Sequence, residues 1–323
     1  MTEKERYRNL CKTEKTIPIF SRDWWMDAVC GEDNWNVILV EDNGQIIASM
    51  PYYIKKKYGL RFITQPPLTQ TNGLWIKYPD DQRSSKRHFY EKEIMNKIID
   101  KLENLNVDLY SQNFHYSFTN WQPFYWRGFQ QTTRYTFVIE DLSSHDTIFS
   151  QFSKVVRKNI RKTAKQANIY NSDNIEKFYT LNEQVFKRQG LKVPYSLDFL
   201  KRLDRACSQN KARQMFFGED KERNIHSIVY IVWDETSAYL LMSGIDPKYR
   251  DSDFKTLLVW EAIQFASKVT KRFDFEGSMI ENVADYFTKF GAIKKPYFQI
   301  TKMSRRMQIL SNGKQIVNSL IKK

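Results

Sequence analysis

Two rhythms of apolar and polar residues alternate along the chain. Between Trp35 and Lys57, the runs "WNVILVED" and "QIIASMPYYIKKK" flank Asn43-Gly44. That dipeptide favours the tight turn joining antiparallel strands, so a hairpin is predicted. Trp24–Cys30 before it reads as a short helix. Extended segments follow at "GLRFITQPPL" and "NGLWIKYP". A helix is then predicted over Lys86–Leu105, with Phe89, Ile94, Ile98 and Leu102 facing inward. "VDLYSQ" reads as a strand, "WQPFYWRGF" as a short helix and "RYTFVIED" as a strand.

The second half repeats that order. "ARQMFFGEDKERNIHSIVYIVWD" is a hairpin around a polar turn, and "SAYLLMSGID" a strand. Phe254–Val269 is a helix with apolar residues on both faces. "RFDFEGS" reads as a strand, "ENVADYFTKFG" as a helix and "KPYFQITK" as a strand. "YWRGFQQTTRYTFVI" and "FTKFGAIKKPYFQI" align at an offset of 162, pairing Arg127 with Lys289 and Tyr135 with Tyr297. The reading is a degenerate tandem repeat of one α/β domain. The join falls near residue 142, where Ser143 and Asp146 have capping-box spacing. The expected division is 1–142, 143–302 and a basic helical tail, 303–323.

The second half opens with "KVVRKNIRKTAKQ". On a helix, Lys154, Arg157, Lys158, Arg161, Lys162 and Lys165 form one stripe, opposite Phe149, Phe152, Val156, Ile160, Ala164 and Ala167. An amphipathic helix is predicted, its basic face turned either to solvent or to a phosphate-bearing partner.

The formal charge of +14 favours such partners, or an anionic membrane face. No apolar run reaches the roughly 18 residues of a membrane span, and the N-terminus "MTEKERYRNLCKTEK" has no apolar signal core. A cytoplasmic location is expected, with peripheral contact at the inner membrane face left open. Cys11, Cys30 and Cys207 are too far apart for a disulfide framework, and the four histidines are scattered, so no metal site is expected. The 11 glycines exclude a dinucleotide-binding turn, a phosphate-cradling P-loop and a hydrolase nucleophile elbow, because no two are close enough.

Several stretches resemble the GNAT acyltransferase superfamily and its FemABX-like branch. They are "RKNIRKTAKQA", "AYLLMSGID" leading into "KTLLVWEAIQFA", and "RFDFEGSMIENVADYFTKFGA". "WNVILVEDNGQIIASMPYYIKKKYGL" with "ITQPPLTQTNGLWI" is similar to the same branch, so the likeness runs from about residue 20 to 302. It implies an α/β (α+β) fold of two tandem GNAT-like domains, each a mixed, mostly antiparallel sheet flanked by helices. It also implies transfer of an acyl or aminoacyl group to an amine acceptor, with the first domain shaping the acceptor cleft. The donor is acyl-CoA or aminoacyl-tRNA, and no tightly bound cofactor is implied. The implied acceptor is a cell-envelope precursor or a sugar, with nucleotide- or lipid-linked precursors among the candidates. An acetyl-CoA-dependent N-acetyltransferase is one alternative, and a non-catalytic polyanion- or RNA-binding protein is another. DNA is not an implied partner.

Two departures from the family pattern stand out. The stretch before the long helix, "DPKYRDSDFKT", has no glycine to admit a pyrophosphate, though Tyr249, Arg250 and Lys255 could contact a donor. The tyrosine that protonates a leaving thiolate in many GNAT enzymes is displaced: Phe287 holds its place and Tyr286 lies one residue earlier. Strand alternation puts Asp274 and Glu276 on one face, as a base for the attacking amine, with Gly277 and Ser278 following. Lys289 is a candidate for stabilising an oxyanion. Arg157, Lys158, Arg161 and Lys162 are candidate donor contacts.

Overall fold

The computed structural model describes residues 1–79, 83–188 and 190–311. The chain divides into two compact units, one comprising Met1–Arg134 and the segment from Tyr297, the other Tyr135–Pro296.

In the first unit, α1 (Glu3–Thr13) and α2 (Asp23–Cys30) precede β1 (Trp35–Asp42), β2 (Gln45–Lys57), β3 (Leu60–Thr64) and β4 (Trp75–Ile76). Next come α3 (Ser84–Asn104), β5 (Leu109–Phe114), α4 (Gln122–Trp126) and β6 (Gln130–Ile139). Asn43 and Gly44 both have positive φ, as the predicted hairpin turn requires. β1 and β2 pair antiparallel from Trp35↔Tyr53 to Asp42↔Gln45. β3 and β5 are parallel, joined by the α3 crossover. Ile94, Met95, Ile98, Ile99 and Leu102 of α3 pack with Ile38, Val40, Met50 and Tyr52 of the hairpin. Phe89, expected to face inward, is 67% exposed; the apolar stripe of α3 begins only at Ile94.

The second unit continues with α5 (His145–Gln151), α6 (Lys154–Thr163), β7 (Asn168–Asn171), α7 (Ile175–Arg188) and α8 (Leu197–Gln209). β8 (Arg213–Glu219), β9 (Ile225–Trp233) and β10 (Ser237–Ile245) form an antiparallel meander. α9 (Phe254–Ala266) crosses to β11 (Arg272–Asp274), which runs parallel to β10. α10 (Glu281–Thr288) and β12 (Ile293–Met303) follow. Strand order in this unit is β6-β11-β10-β9-β8-β7. Nine of the thirteen residues of α9 are buried, because it lies against β8 and β9 on one side and α6 on the other. A helix covered on both sides has no need of a polar face, which explains its apolar sequence.

Three sequence expectations are corrected. The amphipathic opening helix is two helices, because Phe152 turns to extended backbone (ψ 145) and Ser153 caps α6 by accepting from the Val156 N–H at 3.3 Å. The first helix starts one residue later than the expected cap: Ser144, not Ser143, accepts from Thr147 N. The units meet inside β6 and β12 rather than at residues 142 and 302, since long strands carry the chain from one unit to the other. Of the tail, residues 305–311 are helical, and the remainder lies outside the described residues. All three cysteines are buried thiols. Among the described residues no helix is long and apolar enough to cross a membrane.

Candidate active site

The site begins where two parallel strands part. β11 pairs with β10 only from Ser237↔Arg272 to Tyr239↔Asp274, while β10 runs on to Ile245. At the same place the β10–β9 register shifts between Tyr239 and Met242. A bulge of this kind leaves backbone groups outside the ladder, where they can serve a ligand.

Asp274 ends β11 and is fully buried. Its Oδ1 accepts from the Thr136 hydroxyl and, at 2.7 Å, from the Glu276 N–H. The second bond closes a tight turn, and Glu276 and Gly277 both take positive φ, 60° and 66°. The alternation expected through Ser278 therefore stops. Phe275 still pairs with Phe137 (N to O 2.9 Å), but Glu276 leaves the strand, and Asp274 and Glu276 face each other through a turn rather than along one strand face. Gly277 has no substitute here, because a Cβ would lie 2.1 Å from the Tyr135 carbonyl oxygen. Ser278 accepts from Ile280 N at 3.0 Å, bracing the approach to α10.

Glu276 is only partly covered as a residue, yet its Oε1 is buried with no hydrogen-bond partner among the described residues. Burial, and then the negative charge of Asp274, push its carboxyl well above the usual range. A left-handed, desolvated glutamate is unfavourable in two respects, and such features concentrate at functional sites.

α10 sends Phe287 into the core, 4.9 Å from the Phe275 ring, and turns Tyr286 towards the start of α9. The Tyr286 hydroxyl lies 3.4 Å from Thr256 Oγ1, and Lys255 Nζ sits 5.0 Å above its ring. Burial raises the Tyr286 phenol. Asp274, Glu276, Gly277 and Ser278 thus form one group, and Lys255 and Tyr286 another. Lys289 is exposed at the end of α10, and its backbone carbonyl accepts from Ser153 N at 2.8 Å.

The loop before α9 has no glycine, and its Tyr249 and Asp253 side chains are held by the fold. Tyr249 stacks on His226 at 3.9 Å with the rings 8° from parallel, and His226 Nε2 lies 3.0 Å from Asp220 Oδ2. This ties Tyr249 to the fold. Arg250 is exposed. Asp253, with φ 59°, stands at the N-terminal end of α9, and Asn159 of α6 donates to its carboxylate at 2.8 Å. A fixed carboxylate at a helix N-terminus opposes a second anion there.

The cations of α6, with Lys165 just beyond it, contrast with this. Lys154, Arg157, Lys158, Arg161, Lys162 and Lys165 line one open groove. Among the described residues none of the six forms a salt bridge; Arg161 rests 5.3 Å over the Phe149 ring. Val156, Ile160 and Thr163 hold the opposite face in the core.

Two residues escaped the sequence reading. Thr136, 138 positions from Asp274, carried no local signal. Asp253 did: an acid directly before an apolar helix is a common cap position.

Residues 150–286 match the family model described as an acetyltransferase (GNAT) domain. None of the curated proteins matches the chain. Among solved structures, FemX superposes with a TM-score of 0.69 at 11% identity, covering 92% of this chain and 96% of that one. The C-terminal domain of a protein named as a lysylphosphatidylglycerol synthetase from Agrobacterium fabrum gives 0.59 at 7% identity, covering 98% of each chain. A tandem GNAT protein from the clavulanic acid biosynthesis pathway gives 0.52 at 8% identity, covering 93% and 94%. The chain has a GNAT/FemABX-like fold, and its residues 150–286 match the GNAT acetyltransferase domain.

Proposed function

We propose that the protein is an acyltransferase that moves an acyl or aminoacyl group from a phosphate-bearing donor onto an amine of an envelope precursor or sugar. The observation that carries this reading is the Glu276 carboxyl, desolvated and set beside Asp274 where β10 and β11 part. An amine must lose a proton as it attacks a carbonyl carbon. Glu276, once ionised, is basic enough to take that proton. Asp274 positions it, through the bond to its N–H, and raises its proton affinity. Backbone N–H groups at the β10 bulge would hold the oxyanion. Collapse of the intermediate forms the amide and expels the donor's thiolate or ribose oxygen.

The donor reading favours a polynucleotide carrier over acyl-CoA. α9 begins with a hydrogen-bonded carboxylate and no glycine stands in the loop before it, whereas α6 and Lys165 just beyond it present six cations that form no salt bridge among the described residues. The fold shared with a protein named for lysylphosphatidylglycerol synthesis supports an aminoacyl donor and an envelope acceptor.

Purified protein should be given acetyl-CoA or charged tRNA together with amine acceptors, and the product followed by mass spectrometry. Aminoacyl transfer that Glu276→Gln abolishes supports the reading, and transfer from acetyl-CoA alone replaces the donor. No transfer from either donor, with RNA binding that falls steeply with salt and ignores Glu276→Gln, overturns it in favour of a polyanion-binding protein.

A further inference from the structure

The first unit leaves three large aromatic side chains on its surface: Phe89 is 67% exposed, Tyr125 61% and Trp126 52%. They belong to one patch. Lys92 lies one helical turn from Phe89 on α3, and its Nζ sits 5.3 Å over the Trp126 ring of α4. Trp121, 5.5 Å from Tyr125, anchors α4 beneath.

Cations surround the patch where a helix does not favour them. The first turn of α3 carries no acid, and its N-cap, Arg83, makes no side-chain capping bond. Arg83, Lys86 and Arg87 lie at this positive end of the helix dipole and are exposed. Among the described residues the neighbouring acids are engaged, Glu91 with Arg87 at 3.1 Å and Glu93 with Lys97 at 2.7 Å; Asp80 and Asp81 precede Arg83 in the sequence. Exposed aromatics and dipole-opposed cations are both locally unfavourable, and one kind of surface relieves both. An anionic membrane offers an interface for aromatic rings and negative headgroups for the cations.

We infer that the Phe89–Lys92–Tyr125–Trp126 patch docks the protein peripherally on anionic lipid bilayers. Contact is superficial, with the rings at headgroup level and Lys86 and Lys92 over the phosphates. The inference concerns the first unit alone and does not depend on the transferase reading.

The test is flotation of the full chain with vesicles of phosphatidylcholine, with or without about one third phosphatidylglycerol. The expected result is salt-sensitive binding to the anionic vesicles. Phe89→Ser/Trp126→Ser and, separately, Lys86→Glu/Lys92→Glu should each weaken it by about tenfold or more, at unchanged melting temperature. The inference fails if anionic vesicles do not bind the parent protein, or if both variants bind as the parent does. It also fails if Lys154→Glu/Lys158→Glu alone abolishes binding. Concentration-dependent dimers that disappear in Phe89→Ser/Trp126→Ser would overturn it in favour of a self-association surface.

Discussion

In the first unit β5 carries Gln112 and Phe114; 162 residues further on, Asp274 ends β11 and Glu276 follows in the turn after it. Both strands leave a parallel partner after a helical crossover, β3–α3–β5 and β10–α9–β11. The contents differ. Gln112 is buried, its amide donating to Pro51 O at 2.8 Å and Asn72 Oδ1 at 3.2 Å. Phe114 packs in a ring cluster with Phe118 and Phe124, at 4.9 and 5.4 Å. Phe124 stands where Tyr286 stands in the second unit, and Arg127, salt-bridged to Asp100 and Glu103, stands where Lys289 is exposed. The same strand–helix–strand order thus ends in a packed core in one unit and at buried carboxyls in the other. Desolvating a carboxylate costs stability, and only the second unit bears that cost at this strand end.

The two strand ends should respond differently to substitution. Glu276→Gln should lower kcat/KM by about 10² to 10⁴, roughly 3–5 kcal/mol of barrier. Phe114→Leu at the matching position should instead cost about 1 kcal/mol of stability and leave the kcat of the folded protein unchanged. Glycines give the next largest contrast. Gly277→Ala drives a Cβ into the Tyr135 carbonyl and should cost about 3 kcal/mol or more, read by denaturant unfolding. Gly128→Ala, with φ 77° and nothing within 4 Å of the new Cβ, should cost about 1 kcal/mol.

A smaller effect sharpens the account of Glu276. Its folded-state proton affinity is raised, so the protonated form favours folding and ionisation at higher pH weakens it. Glu276→Gln should therefore melt above the parent at neutral and alkaline pH. The gap should close as the pH falls towards about 4, the unfolded-state carboxyl value. Smallest of all, Arg127→Ala should cost about 1 kcal/mol or less, because its ion pairs are partly exposed. Lys289→Ala should leave the melting temperature unchanged.

Much of the fold was legible because local chemistry and tertiary context agree. Asn43-Gly44 specified its hairpin, and Ile94, Ile98 and Leu102 specified the buried stripe of α3. Phe89 misled because an apolar side chain in helical register need not be covered. α7 and α8 went unassigned beside the repeating elements, although both are amphipathic helices. At the site, residue types told of two carboxyls and an obligatory glycine at a strand end. The turn that Asp274 imposes on Glu276 was hidden, since a side chain capping a backbone N–H two residues on breaks the alternation from which the strand was read. Thr136 was hidden for a different reason: its partner lies far away in sequence and meets it only in the folded sheet.

The pH dependence of kcat/KM, measured side by side for the parent and Glu276→Gln, decides whether Glu276 is the base. The parent should show a limb that rises with pH, with its inflection well above the ordinary carboxyl range, and Glu276→Gln should lose that limb and keep only residual activity. An inflection that survives unchanged in Glu276→Gln would assign the titration to the amine acceptor, and would contradict the role given to Glu276.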